Sequence, residues 1–498
     1  MSNNNSKNTH DERSLDPENW DDFTANAHQM LDVALEHMKS CRDRPVWKPA
    51  PDNVKQELRE PLPMEAQGAR KVSDDITNLV LPYGTGNTHP KFFGWVHGSG
   101  TPSGIIAEMM AAAINANLGG RDHAAIYVER QVIEWCREMF EFPDSASGLV
   151  VSGTSMASLI ALKTARDKAL GVSVRKTGIG ATGARLTAYA SVQAHACISK
   201  TFDILGLGQN ALRSVPVDAS YKMDIDALRS AIKQDIADGN QPFCIVGTAG
   251  SVNTGSIDDL QRLSEIANEY DLWLHVDGAF GALGWLCDEL RPQLKGLNQA
   301  HSIAFDFHKW MHVNYDAGFV LIRDGEAHQQ SFSSRPDYLA AEERGLAGGN
   351  PWFCEYGLEL SRGFRALKVW WQFKDQGLTR IAEKISDNCQ QAKHLATLVE
   401  QNNNLELMAP VALNIVCFRF VASDFTATEL DILNKEIVIR LQELGLAAPS
   451  TTLLQGELTI RVNITNHRTR MKDCDELISE CIHLGALLVE EKKNSTID

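Results

Sequence analysis

Three features that mark whole classes of protein are missing from this 498-residue chain. No run reaches the roughly 20 apolar residues that a transmembrane helix needs. The segment MSNNNSKNTHDERS is polar and lacks the basic-then-apolar pattern of a secretory signal peptide, so none is expected. The ten cysteines contain no CxxC pair, which indicates free thiols in a reducing compartment. Together these absences favour a cytoplasmic protein.

Positive charge is also in deficit. Asp and Glu number 64 against 48 Lys and Arg, which gives a formal net charge of −16. Such an acidic surface argues against nucleic acid or an anionic membrane as the main partner. Because 43% of the residues are hydrophobic, the chain can bury large cores and form more than one domain.

Hydrophobic periodicity divides the chain into three segments. Residues 1–85 contain an amphipathic helix, PENWDDFTANAHQMLDVALEHMKSC, and a proline-punctuated connector. Residues 86–378 alternate strands such as FCIVGTAG with helices such as SMASLIALKTARDKAL, which predicts an α/β domain with a mainly parallel sheet. Asp224 is the predicted N-cap of one of these helices. Residues 379–498 predict a smaller α+β domain with three strands: LELMAP, IVCFRFVA and ELTIRVNI.

Polar residues follow several predicted strands of the α/β domain. They are Ser152–Ser155, His195, Thr248, Asp277 and the segment 306–309. In an open parallel sheet, ligands bind beyond the carboxyl ends of the strands. The convergence of five separate segments at that edge predicts a single ligand site.

The turn VSGTSMAS favours an anion. Free backbone N–H groups and the helix dipole attract negative charge there, and Ser152, Thr154 and Ser155 add hydroxyl donors. The turn has no Walker lysine and no GxGxxG pattern, so a nucleotide loop is not indicated. An ordinary Ser/Thr helix cap is the structural alternative.

Three ionisable residues each have a functional and a structural interpretation. Asp277, at the end of an apolar strand, either caps the strand or holds a protonated pyridine nitrogen. His195 is either a structural histidine with satisfied hydrogen bonds or a ring that stacks on a flat cofactor. Lys309 either snorkels or loses its charge through desolvation and forms a Schiff base with an aldehyde. His308 and His312, spaced i and i+4, resemble a zinc pair without a third ligand.

An ordered set of motifs adds a family resemblance to these residues. The set comprises HPKFFGW (89–95), VSGTSMASLIALKTARD, QAH, HVDGAFG, FHKW and SRGFRALKVWW, with Asp277 placed 32 residues before Lys309. It resembles the group II pyridoxal phosphate-dependent decarboxylases over residues 75–375, and more loosely to the end. HKW and FRALKVWW favour the branch that acts on aromatic amino acids.

The resemblance implies a fold-type I enzyme with a seven-stranded sheet and pyridoxal 5′-phosphate as cofactor. It implies that Lys309 carries the cofactor aldehyde and that Asp277 pairs with the pyridinium nitrogen. Because no third ligand accompanies His308 and His312, no metal site is expected. Ala279 and His195 would pack on the two faces of the cofactor ring, and Thr248 would contact its phenolic oxygen. Thr154 and Ser155 would bind the phosphate. His308 would lie next to the lysine and help to position it.

The reaction implied is decarboxylation of an L-amino acid to an amine and carbon dioxide. Tyr338, in the polar segment SFSSRPDYLAAEERGLAGGNPW, corresponds to a lid tyrosine that protonates the carbon left behind. The resemblance also implies a homodimer with active sites at the subunit interface, in which the N-terminal helix contacts the partner subunit. An acidic substrate, a decarboxylation-dependent aldehyde synthase and a non-catalytic binding protein are the alternatives.

Two positions depart from the aromatic branch. Asp306-Phe307 stands where many members have Asn-Pro, and an acidic Asp306 would repel a nearby phosphate. Ser361 resembles the plant enzymes that take phenolic substrates, which favours tyrosine or dihydroxyphenylalanine. An aromatic wall of Phe92, Phe93 and Trp95 is predicted for the substrate pocket, with core packing as the alternative.

Overall fold

The computed structural model describes residues 14–334 and 342–495 and divides into two compact units. The first unit comprises residues 1–44 and 48–85, and the second comprises residues 45–47 and 86–498. Across the described ranges, no helix combines the length and the apolar character that crossing a bilayer requires.

The first unit is helical. It contains α1 (Trp20–Lys39), α2 (Asp52–Glu57) and α3 (Ala69–Asp75). The Asn19 side chain accepts hydrogen bonds from the first turn of α1, which is why the helix begins where its amphipathic pattern does. None of the residues of α1 or α3 is buried within this chain, although both helices carry apolar side chains.

In the described part of the second unit there are twelve strands. In chain order they are β1 (Phe92–Phe93), β2 (Ser147–Val151), β3 (Leu186–Ser191), β4 (Leu212–Val215), β5 (Gln241–Thr248), β6 (Trp273–Asp277), β7 (Ser302–Asp306), β8 (Gly318–Ile322), β9 (Leu405–Leu407), β10 (Ile415–Phe420), β11 (Ala448–Leu454) and β12 (Glu457–Asn463).

Its helices surround these strands. They are α4 (Pro102–Ile114), α5 (Ala124–Met139), α6 (Thr154–Leu170), α7 (Val174–Thr177), α8 (Ala196–Ile204), α9 (Ile225–Ala237), α10 (Leu260–Glu269), α11 (Gly325–Phe332), α12 (Arg365–Glu400), α13 (Ala427–Glu443) and α14 (Met471–Ser495). The predicted N-cap is confirmed, because the Asp224 side chain accepts from the first N–H groups of α9.

The large sheet has seven strands in the order β2-β8-β7-β6-β5-β3-β4. Strands β7, β6, β5, β3 and β4 are mutually parallel, and β8 runs antiparallel to both of its neighbours. This confirms the mainly parallel seven-stranded sheet. Strands such as β3 and β6 are buried along their whole length, as continuous apolar runs predict for a sheet covered on both faces.

The smaller sheet has five strands in the order β1-β11-β12-β10-β9. The prediction of three strands here was incomplete, because β1 and β11 were missed. Strand β1 is only two residues long, and β11 (APSTTLL) has no apolar run to mark it. The predicted boundary at residues 378/379 lies inside α12, directly after Gly377, whose backbone leaves the helical conformation (φ 70°).

Candidate active site

The carboxyl ends of the parallel strands open onto a cavity of about 380 Å³. Segments that follow β2, β3 and β7 and the last residues of β5 and β6 all contribute to its wall. The sequence-predicted residues that line it are Thr154, Ser155, His195, Thr248, Asp277, Ala279, His308 and Lys309. The structure therefore brings together every one of these positions.

Two hydroxyl groups in the cavity wall have no hydrogen-bond partner within the described chain. Thr154, the first residue of α6, and Thr248, the last residue of β5, are each 5% exposed, and the Oγ1 atom of each is unpaired. Buried polar atoms are nearly always satisfied in folded proteins. Two exceptions in one cavity indicate a polar ligand that both hydroxyls contact.

Asp277 supplies a desolvated carboxylate to the same cavity. Its Oδ1 accepts from the Ala279 N–H at 3.2 Å. Burial raises the pKa of Asp277, while the positive charges of Lys309 and His195 act in the opposite direction. A carboxylate in such surroundings favours a positively charged partner such as a protonated ring nitrogen.

Lys309 is half-buried, with 20% of its side chain exposed, and its surroundings favour the charged amine. Its Nζ lies 2.8 Å from Asp306 Oδ2. Burial lowers the pKa of Lys309, but the charge and hydrogen bond of Asp306, with a contribution from Asp277, outweigh burial and raise it. This direction is opposite to the loss of charge through desolvation that the sequence led us to expect, because the sequence did not predict the contact between Asp306 and Lys309.

Asp306 is the functional residue whose contacts the sequence did not predict. It ends β7 and is 2% exposed. Its Oδ2 meets Lys309, and its Oδ1 accepts from the Thr154 N–H at 2.7 Å. The available signal was its place three residues before the lysine, at a position where the sequence differs from the Asn-Pro of the family that it resembles.

His308 and His312 do not form a helical pair. His308 Nδ1 accepts from the Ala317 N–H at 3.1 Å, and its ring lies against Tyr315 with centroids 4.3 Å apart. Burial lowers the pKa of His308. The His312 ring instead contacts His467, at 4.9 Å. Residues 14–334 and 342–495 contain no group of three or more potential metal ligands.

His195 is exposed at the cavity wall. It caps α8, and its Nδ1 accepts from the Cys197 N–H at 3.2 Å. This bond fixes the ring at the end of β3, across the carboxyl edge of the sheet from Lys309. Its proposed partner in sandwiching a ring, Ala279, is half-buried in the same wall.

Of the three residues in the predicted aromatic wall, only Trp95 lines the cavity. Trp95 lines the cavity and is 55% exposed, whereas Phe93 is fully buried in the core around the smaller sheet. Phe92 is buried against Val46 and Ala448, and its ring centroid lies 6.3 Å from that of Trp95. Core packing is thus the correct interpretation for the two phenylalanines.

Two further predicted residues are not among the described residues that line the cavity. Ser361 is exposed and is absent from the cavity wall formed by the described part of this chain. Tyr338 lies outside the described residues. His97, which was not predicted, lines the cavity, and its ring lies 5.9 Å from that of Trp95 and 6.1 Å from that of Tyr315.

Comparison with known proteins identifies the family. The sequence model described as the pyridoxal-dependent decarboxylase conserved domain matches residues 51–421. The aromatic-L-amino-acid decarboxylase of Bacillus atrophaeus is 31% identical over 93% of this chain and 95% of its own. The chain belongs to the pyridoxal-dependent decarboxylase family. It is a pyridoxal phosphate-dependent decarboxylase, as the motifs predicted.

Solved structures place this decarboxylase in fold-type I. The glutamate decarboxylase domain of diaminobutyrate-pyruvate transaminase and L-2,4-diaminobutyrate decarboxylase from Vibrio parahaemolyticus is 27% identical, covers 93% of this chain and 96% of its own, and has a TM-score of 0.81. Oryza sativa TDC with PLP and tryptamine shares the fold at 24% identity and a TM-score of 0.87, covering 95% of this chain and all of its own.

The residues of the decarboxylase cavity fit pyridoxal phosphate chemically. A phosphate and a phenolic oxygen suit the two unpaired hydroxyls, a ring nitrogen suits the desolvated Asp277, and an aldehyde suits the Lys309 amine. No feature of the described cavity wall requires another class of cofactor.

A buried carboxylate outside the cavity holds Thr248 in place. Asp258 Oδ2 accepts from the Thr248 N–H at 2.8 Å, and Oδ1 accepts from the Met223 N–H at 2.7 Å. Burial raises the pKa of Asp258 to about 6, although both hydrogen bonds lower it. The end of β5 therefore depends on a carboxyl group that titrates near neutral pH.

Asp258 should make this decarboxylase less stable as pH rises from about 4 to 7. The pKa of an aspartate in the unfolded chain is about 3.9, whereas that of Asp258 in the folded state is about 6. Between these values the folded state binds more protons than the unfolded state, so the free energy of unfolding falls as pH rises. Replacing Asp258 by Asn should flatten this part of the stability curve by up to about 3 kcal/mol. Unfolding midpoints measured at several pH values would show it.

Asp259→Asn is the matched control, because Asp259 is the exposed neighbour that caps α10. That variant should keep the slope of the wild type. A wild-type curve that rises between pH 4 and 7 by as much as the Asp258→Asn curve would contradict the assignment.

Proposed function

We propose that this chain decarboxylates an L-amino acid with an aromatic side chain, releasing the amine and carbon dioxide. The observation that carries the proposal is the meeting of Lys309, Asp277 and two unpaired hydroxyls in one cavity that Trp95 also lines. The likeness to the Bacillus atrophaeus aromatic-L-amino-acid decarboxylase supports the choice of substrate class.

The cofactor would be held from five segments of the chain. Lys309 would bind its aldehyde carbon, and Asp277 would hold the proton at the ring nitrogen. Thr154 and Ser155, at the start of α6, would bind the phosphate with backbone and hydroxyl donors. Thr248 would donate to the phenolic oxygen. When bound, pyridoxal phosphate supplies a ring that stabilises the negative charge left at the substrate carbon.

The remaining proposed roles concern orientation and proton transfer. His195 and Ala279 would contact opposite faces of the ring, and His308, held by Ala317 and Tyr315, would fix the backbone next to Lys309. Tyr338 would return a proton to the substrate carbon after carbon dioxide leaves. This last role is taken from the family resemblance alone.

Aromatic rings around Trp95 favour a planar substrate side chain. Trp95 packs against the rings of Phe92 and His97 at centroid distances of 6.3 and 5.9 Å. Burial and the charge of Lys309 lower the pKa of His97, which favours its neutral ring. A neutral aromatic cluster at the cavity wall suits an aromatic side chain better than a carboxylate.

A carbon dioxide release assay over a panel of amino acids tests the proposal. We expect the highest kcat/KM for tyrosine, dihydroxyphenylalanine or tryptophan. Replacing Trp95 by Ala should raise KM for that substrate about tenfold, the loss of roughly 1.4 kcal/mol of apolar contact. Trp95→Phe is the conservative control and should recover most of the affinity.

The same assay separates the alternatives. An acidic or diamino substrate with the highest kcat/KM would overturn the aromatic assignment. Ammonia and hydrogen peroxide in step with carbon dioxide would instead identify an aldehyde synthase, while an amine as the sole organic product supports simple decarboxylation. Absence of both turnover and a visible cofactor band would favour a non-catalytic binding protein.

We also propose a homodimer in the cytoplasm. The described residues leave apolar side chains of α1 and α3 uncovered, with Trp20 60% exposed and Val72 52% exposed. A second copy of the chain would cover them. All ten cysteines are free thiols, which supports a reducing compartment.

Sedimentation should give twice the chain mass of 55.0 kDa. Changing Trp20 and Phe23 together to Ser should make that dimer dissociate on dilution, because their exposed rings would no longer be buried between subunits. Ile432→Ser, an equally exposed position on α13, is the control. A monomeric wild type at micromolar concentration would contradict the proposal.

A further inference from the structure

Asp306 contacts two groups that a phosphorylated aldehyde would also contact, the Thr154 N–H and the Lys309 amine. Its Oδ1 accepts from the Thr154 N–H at the start of α6, at 2.7 Å, and its Oδ2 lies 2.8 Å from Lys309 Nζ. The side chain is 3% exposed. The chain thus supplies its own anion to a helix N-terminus, where negative charge is stabilised by free N–H groups and the helix dipole.

Close backbone packing holds this carboxylate in place. The Asp306 N–H donates to the Ala279 carbonyl at 2.9 Å. A Cβ added to Gly318 would lie 2.8 Å from Asp306 Oδ1 and 2.4 Å from Gly153 Cα, so only glycine fits there. The absence of a side chain at Gly318 leaves the space into which the carboxylate extends toward α6.

The unpaired hydroxyl of Thr154 marks the same helix end as a binding position for a ligand. Its Oγ1 is buried without a partner, although the N–H of the same residue is already bound to Asp306. Under the proposed function, a phosphate approaches this position. A second anion would then face the Asp306 carboxylate in a site with little water to screen the repulsion.

We propose that Asp306 sets the affinity for the cofactor by opposing its phosphate at the N-terminus of α6. This inference rests on the proposed function and deepens it. Asp306 competes with the phosphate for the Thr154 N–H. The chain should therefore hold pyridoxal 5′-phosphate less tightly than the hydroxyls and helix end alone would allow.

The contribution of the phosphate can be isolated with two ligands. Pyridoxal and pyridoxal 5′-phosphate share the ring and the aldehyde, so the ratio of their dissociation constants reports the phosphate alone. Both constants are measured on cofactor-stripped protein from the absorbance of the bound ligand. Changes in fold stability or in the reactivity of Lys309 affect both ligands and cancel in the ratio.

Asp306→Asn keeps the shape of the side chain and removes its charge. We expect it to increase the preference for pyridoxal 5′-phosphate over pyridoxal by about tenfold or more, a usual size for the effect of a like charge at a buried site. Asp277 still faces Lys309 in this variant, so the ammonium keeps one compensating carboxylate.

Asp167→Asn is the matched control. Asp167 is also buried and paired with basic side chains, those of Lys163 and Arg166, and lies on the same helix far from its N-terminus. That variant should leave the ratio unchanged. An unchanged or reduced preference for the phosphorylated ligand in Asp306→Asn would overturn the inference.

If the Asp306→Asn variant does not fold without cofactor, the rate of cofactor release is measured instead of the dissociation constants. Asp306→Asn is then purified with excess pyridoxal 5′-phosphate, and its release is followed after dilution. Release slower than in the wild type supports the inference, and equal or faster release overturns it. A wild type that binds neither ligand would overturn the proposed function as well, whereas a wild type that binds both with an unmoved ratio overturns this inference alone.

Discussion

The site depends on charge balance around one half-buried lysine. Lys309 lies between two buried carboxylates, Asp306 and Asp277, and each carboxylate is in turn held by a backbone N–H group. A buried charge without such partners would be too costly to maintain. The positions of these three side chains therefore constrain each other.

The parallel sheet makes this balance possible. Its neighbouring strands β5, β6 and β7 end at one edge, so Thr248, Asp277 and Asp306 arrive side by side, and the N-terminus of α6 meets them there. Asp258 secures one end of that row from outside the cavity. The residues that face the ligand therefore lie at strand ends and at the start of a helix, which are more rigid positions than loops.

Much of the fold and the site followed from the sequence because they rest on strong local signals. Continuous apolar runs predicted the parallel strands, and polar residues at the strand ends predicted the cavity. Contacts between distant segments could not be predicted in this way. The Asp306–Thr154 bond, for example, spans 152 residues. Strand β11 was missed because its Ser and Thr residues pair across a sheet that only the folded chain defines.

We propose that Lys309, among all the lysines, bonds to the cofactor aldehyde. Borohydride reduction of the enzyme with bound pyridoxal phosphate, followed by proteolysis and mass spectrometry, tests this assignment because reduction makes the bond permanent. We expect a single phosphopyridoxyl group on the peptide that contains FHKW, and none in Lys309→Ala. A phosphopyridoxyl group on another lysine, or its persistence in that variant, would rule the assignment out.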